Sequence, residues 1–143
     1  MIIQYIVQNY FYSSKIIEVC AGNYLQIASG IKNNLPKTEV MVTDIKPNFI
    51  GFVKENAPNL TAIVDDIMNP NKGLYFDASL IYAIRPPVEL HLPMARLAEE
   101  VSADLILRTL SDEYPSLIES EQKILVNTSK AILHVYKWSR AHE

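Results

Sequence analysis

The sequence holds one cysteine, one tryptophan and four glycines in 143 residues. It has no lysine or arginine cluster, and no apolar run near the ~18 residues that a helical membrane span needs. Each shortage excludes something. A lone cysteine, Cys20, forms no intrachain disulfide, so a reducing cytoplasm is the natural compartment. With a net charge of −3 and no basic patch, no surface for nonspecific nucleic-acid or anionic-membrane binding is expected. Only a small local site for one phosphate stays open. The three histidines, His91, His134 and His142, lack metal-ligand spacing with one another or with Cys20, so no metal is expected. Met1–Tyr12 has no basic start, is interrupted by Gln4, Gln8 and Asn9, and is followed by no small-residue cleavage site, so it does not read as a signal peptide.

What is present is the composition of one ordinary globular domain, 49% hydrophobic and 20% charged, spanning residues 1–143. Ile2, Ile3, Ile6, Val7 and Tyr10 fall at helical spacing and predict a short amphipathic helix docked on the core. Short apolar runs come next at Lys15–Val19, Val40–Thr43, Leu60–Val64, Ser79–Ile84 and Asp104–Leu107. Helical patterns at Tyr24–Leu35 and Pro87–Val101 separate two pairs of them. That alternation predicts strands buried on both faces in a parallel α/β sheet. The tail reads two ways: one helix through Leu117, Glu121, Ile124, Thr128, Ala131, Val135 and Trp138, or a hairpin of Lys123–Val126 and Ala131–Trp138 joined by the turn-prone NTSK.

In an open parallel sheet, ligands bind at the carboxyl ends of the strands, where strand order reverses. The polar residues ending each run are therefore the candidates. In IIEVCAGNY (residues 16–24), Cys20 and Leu25 occupy the first and third glycine positions of a dinucleotide fingerprint, and only Gly22 is present. A phosphate cradle is poorly supported. One glycine with small neighbours suffices for S-adenosylmethionine, which has no phosphate; a ligand-free strand-to-helix turn is the alternative. Asp44 lies twenty-two residues beyond Gly22, where a carboxylate takes both ribose hydroxyls, unless it forms an Asx-turn ahead of Pro47. Asp65 or Asp66 would meet the adenine amino group, or Asp66 would cap a short turn. Glu18, a carboxylate in an apolar strand, is costly unless paired; it would orient the turn or meet the cofactor's ammonium.

IYAIRPP, Tyr82–Pro87, holds Arg85 rigidly at the same edge through Pro86 and Pro87. A cation pointing inward would repel a sulfonium. Arg85 should therefore face an anionic substrate or partner surface, or else pair with Glu89 or an aspartate of the site. Cys20 reads as a small buried hydrophobe rather than a nucleophile. Tyr136 and Trp138 read as core or edge packing, with a homodimer surface as the minority alternative.

The strings EVCAGNYLQIA, VTDIKP, VDDI, LIYAIRPPVE, ADLILRTL and KILVN resemble, in that order, a family of small archaeal proteins, number 0146 in the uncharacterised protein family (UPF) series. The resemblance runs from about Tyr5 to Tyr136. Family members are similar to stripped-down class I S-adenosylmethionine-dependent methyltransferases. The family's E-V-G-x-G-R-Y turn maps onto Glu18, Cys20, Gly22 and Tyr24, with Cys20 in place of glycine and Asn23 in place of the usual arginine. What the resemblance implies is a three-layer Rossmann-like methyltransferase fold, with a mainly parallel sheet of about seven strands closed by an antiparallel C-terminal hairpin. The family turn and the strand-end reading together give an expected cofactor site at Glu18, Cys20, Gly22, Tyr24, Asp44, Asp65 and Asp66, and a substrate edge at Arg85, Pro86 and Pro87. The resulting expectation is an S-adenosylmethionine-binding, methyltransferase-like protein with an unknown acceptor. The alternatives are a non-catalytic binding or assembly module and a nucleotide-binding protein.

Overall fold

Five of the apolar runs become parallel neighbours in one seven-stranded sheet. In the computed structural model, which describes residues 2–110, 122–127 and 131–138, these are β1 (Lys15–Glu18), β2 (Glu39–Asp44), β3 (Thr61–Val64), β4 (Leu80–Ile84) and β5 (Asp104–Leu110). The chain ends in an antiparallel pair, β6 (Gln122–Asn127) and β7 (Ala131–Lys137). The strand order is β3-β2-β1-β4-β5-β7-β6, with β7 antiparallel to β5. The two open readings of the tail thus resolve in favour of strands. Positions 128–130 of the expected NTSK turn, and His142, lie outside the described residues.

Four α-helices cover the faces: α1 (Ile2–Asn9), α2 (Gln26–Asn34), α3 (Phe49–Asn56) and α4 (His91–Val101). As the period predicted, α1 buries Ile2 and Ile6, with Tyr10 beyond its end. Its approach to α2 depends on Gly30, where a Cβ would lie 2.5 Å from the Ile3 Cδ1. One apolar layer joins α1, α2 and α3 to Ile16, Val42, Tyr82 and Ile106; the other sets α4 against Ile17, Met41, Ile81 and Leu105. Neighbouring residues of one strand enter opposite layers, the period-2 rule acting in a sheet covered on both sides.

Three local expectations need correction. β3 is half-exposed rather than buried, because it is the edge strand. The segment after Asp44, not assigned from the sequence, holds a helix, α3, of eight residues: Phe49, Phe52 and Val53 fall at helical spacing, but over too short a stretch to repeat. And the helix expected from Pro87 starts only at His91. Before it Val88–Leu90 form a 3-10 turn, entered from Pro87 in an extended conformation.

Candidate functional site

Strand order reverses between β1 and β4, which pair directly while their next connections run to opposite sides of the sheet. That is where the carboxyl ends open a crevice. Glu18 and Tyr82 straddle it: they are in register across the two strands, and the Tyr82 hydroxyl donates to Glu18 Oε1 at 2.7 Å. Glu18 is 1% exposed and accepts no other hydrogen bond among the described residues. Burial drives its pKa up from 4.5 to about 8, against the opposing pull of the Tyr82 hydrogen bond. At neutral pH it is therefore largely a neutral acid with one oxygen uncommitted.

From β1 the chain enters a tight turn that leads into α2 and is tied to the end of β2. The Ala21 amide donates to the Thr43 carbonyl at 3.0 Å and the Gly22 amide to Asp44 Oδ2 at 2.8 Å. Two residues of this turn take the left-handed conformation, Cys20 at φ 56° and Gly22 at φ 59°. Gly22 suits it; Cys20 carries a Cβ penalty there. Its thiol is half-buried, and its pKa rises to about 11 through burial first, then the carboxylates of Asp44, Asp66 and Glu18. Burial dominates the rise, and the acidic side chains of Asp44, Asp66 and Glu18 add to it. A Cβ built on Gly22 meets nothing within 4 Å, so the turn borders open space.

Asp44 is 9% exposed. Its Oδ1 accepts from the Lys46 amide at 3.1 Å, so the Asx-turn exists, and Oδ2 takes Gly22. Each oxygen keeps a further lone pair for a ligand hydroxyl. The other two aspartates are more committed. Asp65 accepts from the Asn71 amide at 3.1 Å and from the buried Tyr75 hydroxyl at 2.6 Å. Asp66 caps a short turn through the Met68 amide at 2.9 Å. Of the pair, Asp66 keeps one carboxylate oxygen without a described partner. In the segments that follow β1, β2, β3 and β4, Tyr24, Ile45, Met68 and Val88 respectively stand exposed. Sequence reasoning named only Tyr24 among these. The signal for Ile45 and Met68 was an apolar residue close beside an aspartate at a strand end.

On the β4 side, Arg85 is exposed, as is Pro87, while Pro86 is buried. Arg85 adopts φ 47° and forms no ion pair among the described residues, so the expected alternative of a bond to Glu89 or a site aspartate is not found there. No group of three metal-ligating side chains occurs among the described residues, and no helix among them is long and apolar enough to cross a membrane. Tyr136 is fully buried and its ring stacks on Trp138 at 6.3 Å, which is core packing.

Residues 1–137 match the family model described as "Uncharacterised protein family (UPF0146)". A UPF0146 protein of Methanothermobacter thermautotrophicus is 33% identical over 86% of this chain and 83% of its own length. One from Pyrococcus horikoshii is 31% identical over 87% of each. Among solved structures, TrmN from Thermus thermophilus superposes with a TM-score of 0.71 at 16% identity, over 96% of this chain and 48% of TrmN. An O-methyltransferase family protein from Burkholderia thailandensis gives 0.69 at 7% identity, over 98% of this chain and 56% of that protein. The structure of PigF with SAH gives 0.68 at 10% identity, over 96% and 54%. The chain thus has a methyltransferase-like fold and spans about half the length of these three structures.

Proposed function

The chain belongs to the uncharacterised protein family UPF0146, and on that premise we propose that it binds S-adenosylmethionine at the β1–β4 switch point and serves as a small methyltransferase for an unidentified acceptor. One observation carries the reading: Asp44, at the end of β2, accepts the Gly22 amide of the turn after β1 at 2.8 Å and keeps a lone pair on each oxygen beside the open space there. A polyphosphate would be repelled by Asp44 and Asp66, and a ligand bearing an ammonium and a sulfonium would be attracted. The residues fit the group: Asp44 would offer a free lone pair on each oxygen to the ribose hydroxyls, Glu18 would face the amino-acid end, and the open space at Gly22 would admit the ligand close to the backbone. The exposed Ile45 and Met68, which follow β2 and β3, would offer apolar surface to a purine ring. Asp66, with an uncommitted oxygen, suits the adenine amino group better than Asp65, whose oxygens are both engaged.

When bound, the cofactor supplies an electrophilic methyl group. The chain's own task is then alignment and exclusion of water, which needs no catalytic base. A non-catalytic binding module is the second reading, favoured by Cys20, whose side chain stands in the turn where the ligand's methionine end would pass. Calorimetric titration with S-adenosylmethionine and its demethylated product tests the proposal: saturable one-site binding supports it, and absence of binding to both overturns it.

A further inference from the structure

The opposite, amino edge of the sheet holds a cavity that shares no residue with the donor site. It measures about 390 Å³, and Tyr10, Phe76, Asp77, Ser79, Ser102 and Asp104 are among its lining residues. They meet where β4 and β5 begin and α4 ends: Ser79 precedes Leu80, Asp104 opens β5, and Ser102 is the C-cap of α4. The frame is tied together. The Asp104 amide donates to the Ser79 carbonyl at 3.0 Å, and the Ser79 hydroxyl donates to the Ser13 hydroxyl at 2.6 Å.

The charge around this cavity is of one sign. No lysine, arginine or histidine lines it. Lys15 stands behind Asp77 at 3.1 Å, but it is shared with Glu39 at 3.9 Å and also donates to the Leu74 carbonyl. Asp104 has no cation among the described residues. It is half-buried, takes the Tyr10 hydroxyl on Oδ2 at 2.7 Å, and keeps Oδ1 uncommitted there. The negative end of the α4 dipole points to the same place, and the last turn of that helix holds no basic residue.

The second feature is aromatic. Phe76 is 61% exposed although its neighbour Tyr75 is fully buried. Its backbone is held by the Ala78 amide, which donates to the Tyr75 carbonyl at 3.0 Å, so the exposed ring stands on a fixed turn. Tyr10 lines the cavity with it, and the exposed Phe11 and Tyr12 follow on the short segment between Tyr10 and Ser13, packed edge-to-face at 5.1 Å. Ring faces and carboxylates both attract a cation, and rings also receive the apolar stem that carries it. A bare metal ion asks for more oxygen ligands and gains nothing from the rings. An anion meets like charge.

We propose that this cavity binds a small organic cation, an alkylguanidinium or alkylammonium, with Asp104 as its counter-ion and Phe76 and Tyr10 as its aromatic wall. The proposal is independent of the donor reading, since the two sites lie at opposite ends of the strands.

The test titrates the full chain with N-acetylarginine amide, with its neutral isostere N-acetylcitrulline amide, and with tetramethylammonium, at ionic strength held constant with sodium chloride, following backbone amide resonances. Expected is saturable perturbation centred on Ala78, Ser79 and Ser102 by at least one of the two cations and none by the citrulline probe, the tighter cation naming the head group. Asp104→Asn, which still accepts from Tyr10, should weaken binding about tenfold or more. Phe76→Ala should weaken it about threefold or more, and Phe76→Tyr should restore it. Phe76 is exposed, so its two variants decide the matter should Asp104→Asn not fold. No saturable response to either cation, an equal response to the citrulline probe, or affinity unchanged in the variants overturns the site. Perturbation centred on Gly22 and Asp44 instead would place the cation at the donor turn and equally overturn it.

Discussion

Replacing Glu18 by glutamine should abolish a loss of stability that the native chain suffers as pH rises through neutrality. In the folded protein Glu18 is 1% exposed and titrates at about 8 instead of 4.5, burial being the main cause. In the unfolded chain it titrates like any glutamate. Below pH 4.5 it is neutral in both states and costs nothing. Between 4.5 and 8 the unfolded chain releases a proton that the folded chain retains, so each pH unit favours unfolding by ~1.4 kcal/mol. Above 8 both states are ionised and the loss levels off at roughly 5 kcal/mol, an upper bound because water entry relaxes a buried charge. Glutamine keeps the shape, still accepts from Tyr82, and never ionises. Other titrating groups are common to both proteins and cancel in the difference. At about 3 °C per kcal/mol for a chain of this size, Glu18→Gln should match the native melting temperature near pH 5 and exceed it by on the order of 10 °C at pH 9. Thermal unfolding by circular dichroism at half-unit pH steps measures this. Parallel melting curves for the two proteins would refute the reasoning, since Glu18 would then be ionised in the fold at an ordinary pKa.

Tyr82→Phe removes the hydrogen bond that holds the Glu18 pKa down, so the pH at which stability stops falling should move above 8, with a further cost of about 1–3 kcal/mol; the same melting series reads both. Asp44→Ala should weaken S-adenosylmethionine by about 1.5–3 kcal/mol by calorimetry. It should also destabilise the fold, because Asp44 holds the Gly22 and Lys46 amides; affinity unchanged in the variant would exclude the ribose role. Cys20→Gly should tighten donor binding by opening the turn. Its melting temperature should barely change, as relief of the left-handed Cβ penalty offsets glycine's entropy, each about 1 kcal/mol; a large loss of stability would mean that the thiol packs rather than crowds.

Much of the architecture is local information, and the sequence carried it. Apolar runs at β1, β2, β4 and β5 and the helical stripe of α1 are repeats of 2 and 3.6 residues, which any buried sheet or docked helix must obey. The spacing from Gly22 to Asp44 likewise located a carboxylate at the second strand's end, because one crossover helix has nearly constant length. What the period leaves open, the structure had to decide. α3 escaped because eight residues are too few for the spacing of Phe49, Phe52 and Val53 to repeat, and the tail because one stretch fits two periods. At the site, residue type told which groups were present but not which were already engaged. Asp65 looked as available as Asp66 until Tyr75, ten residues on, took one of its oxygens. The protonation of Glu18 depends on Tyr82, sixty-four residues away, and on how completely the layers exclude water. The backbone bond from the Arg85 amide to the Arg108 carbonyl exists only because β4 and β5 lie side by side. Hydrogen-bond saturation, dielectric and strand adjacency are properties of neighbours in space, and a linear sequence names those neighbours only once the chain has folded.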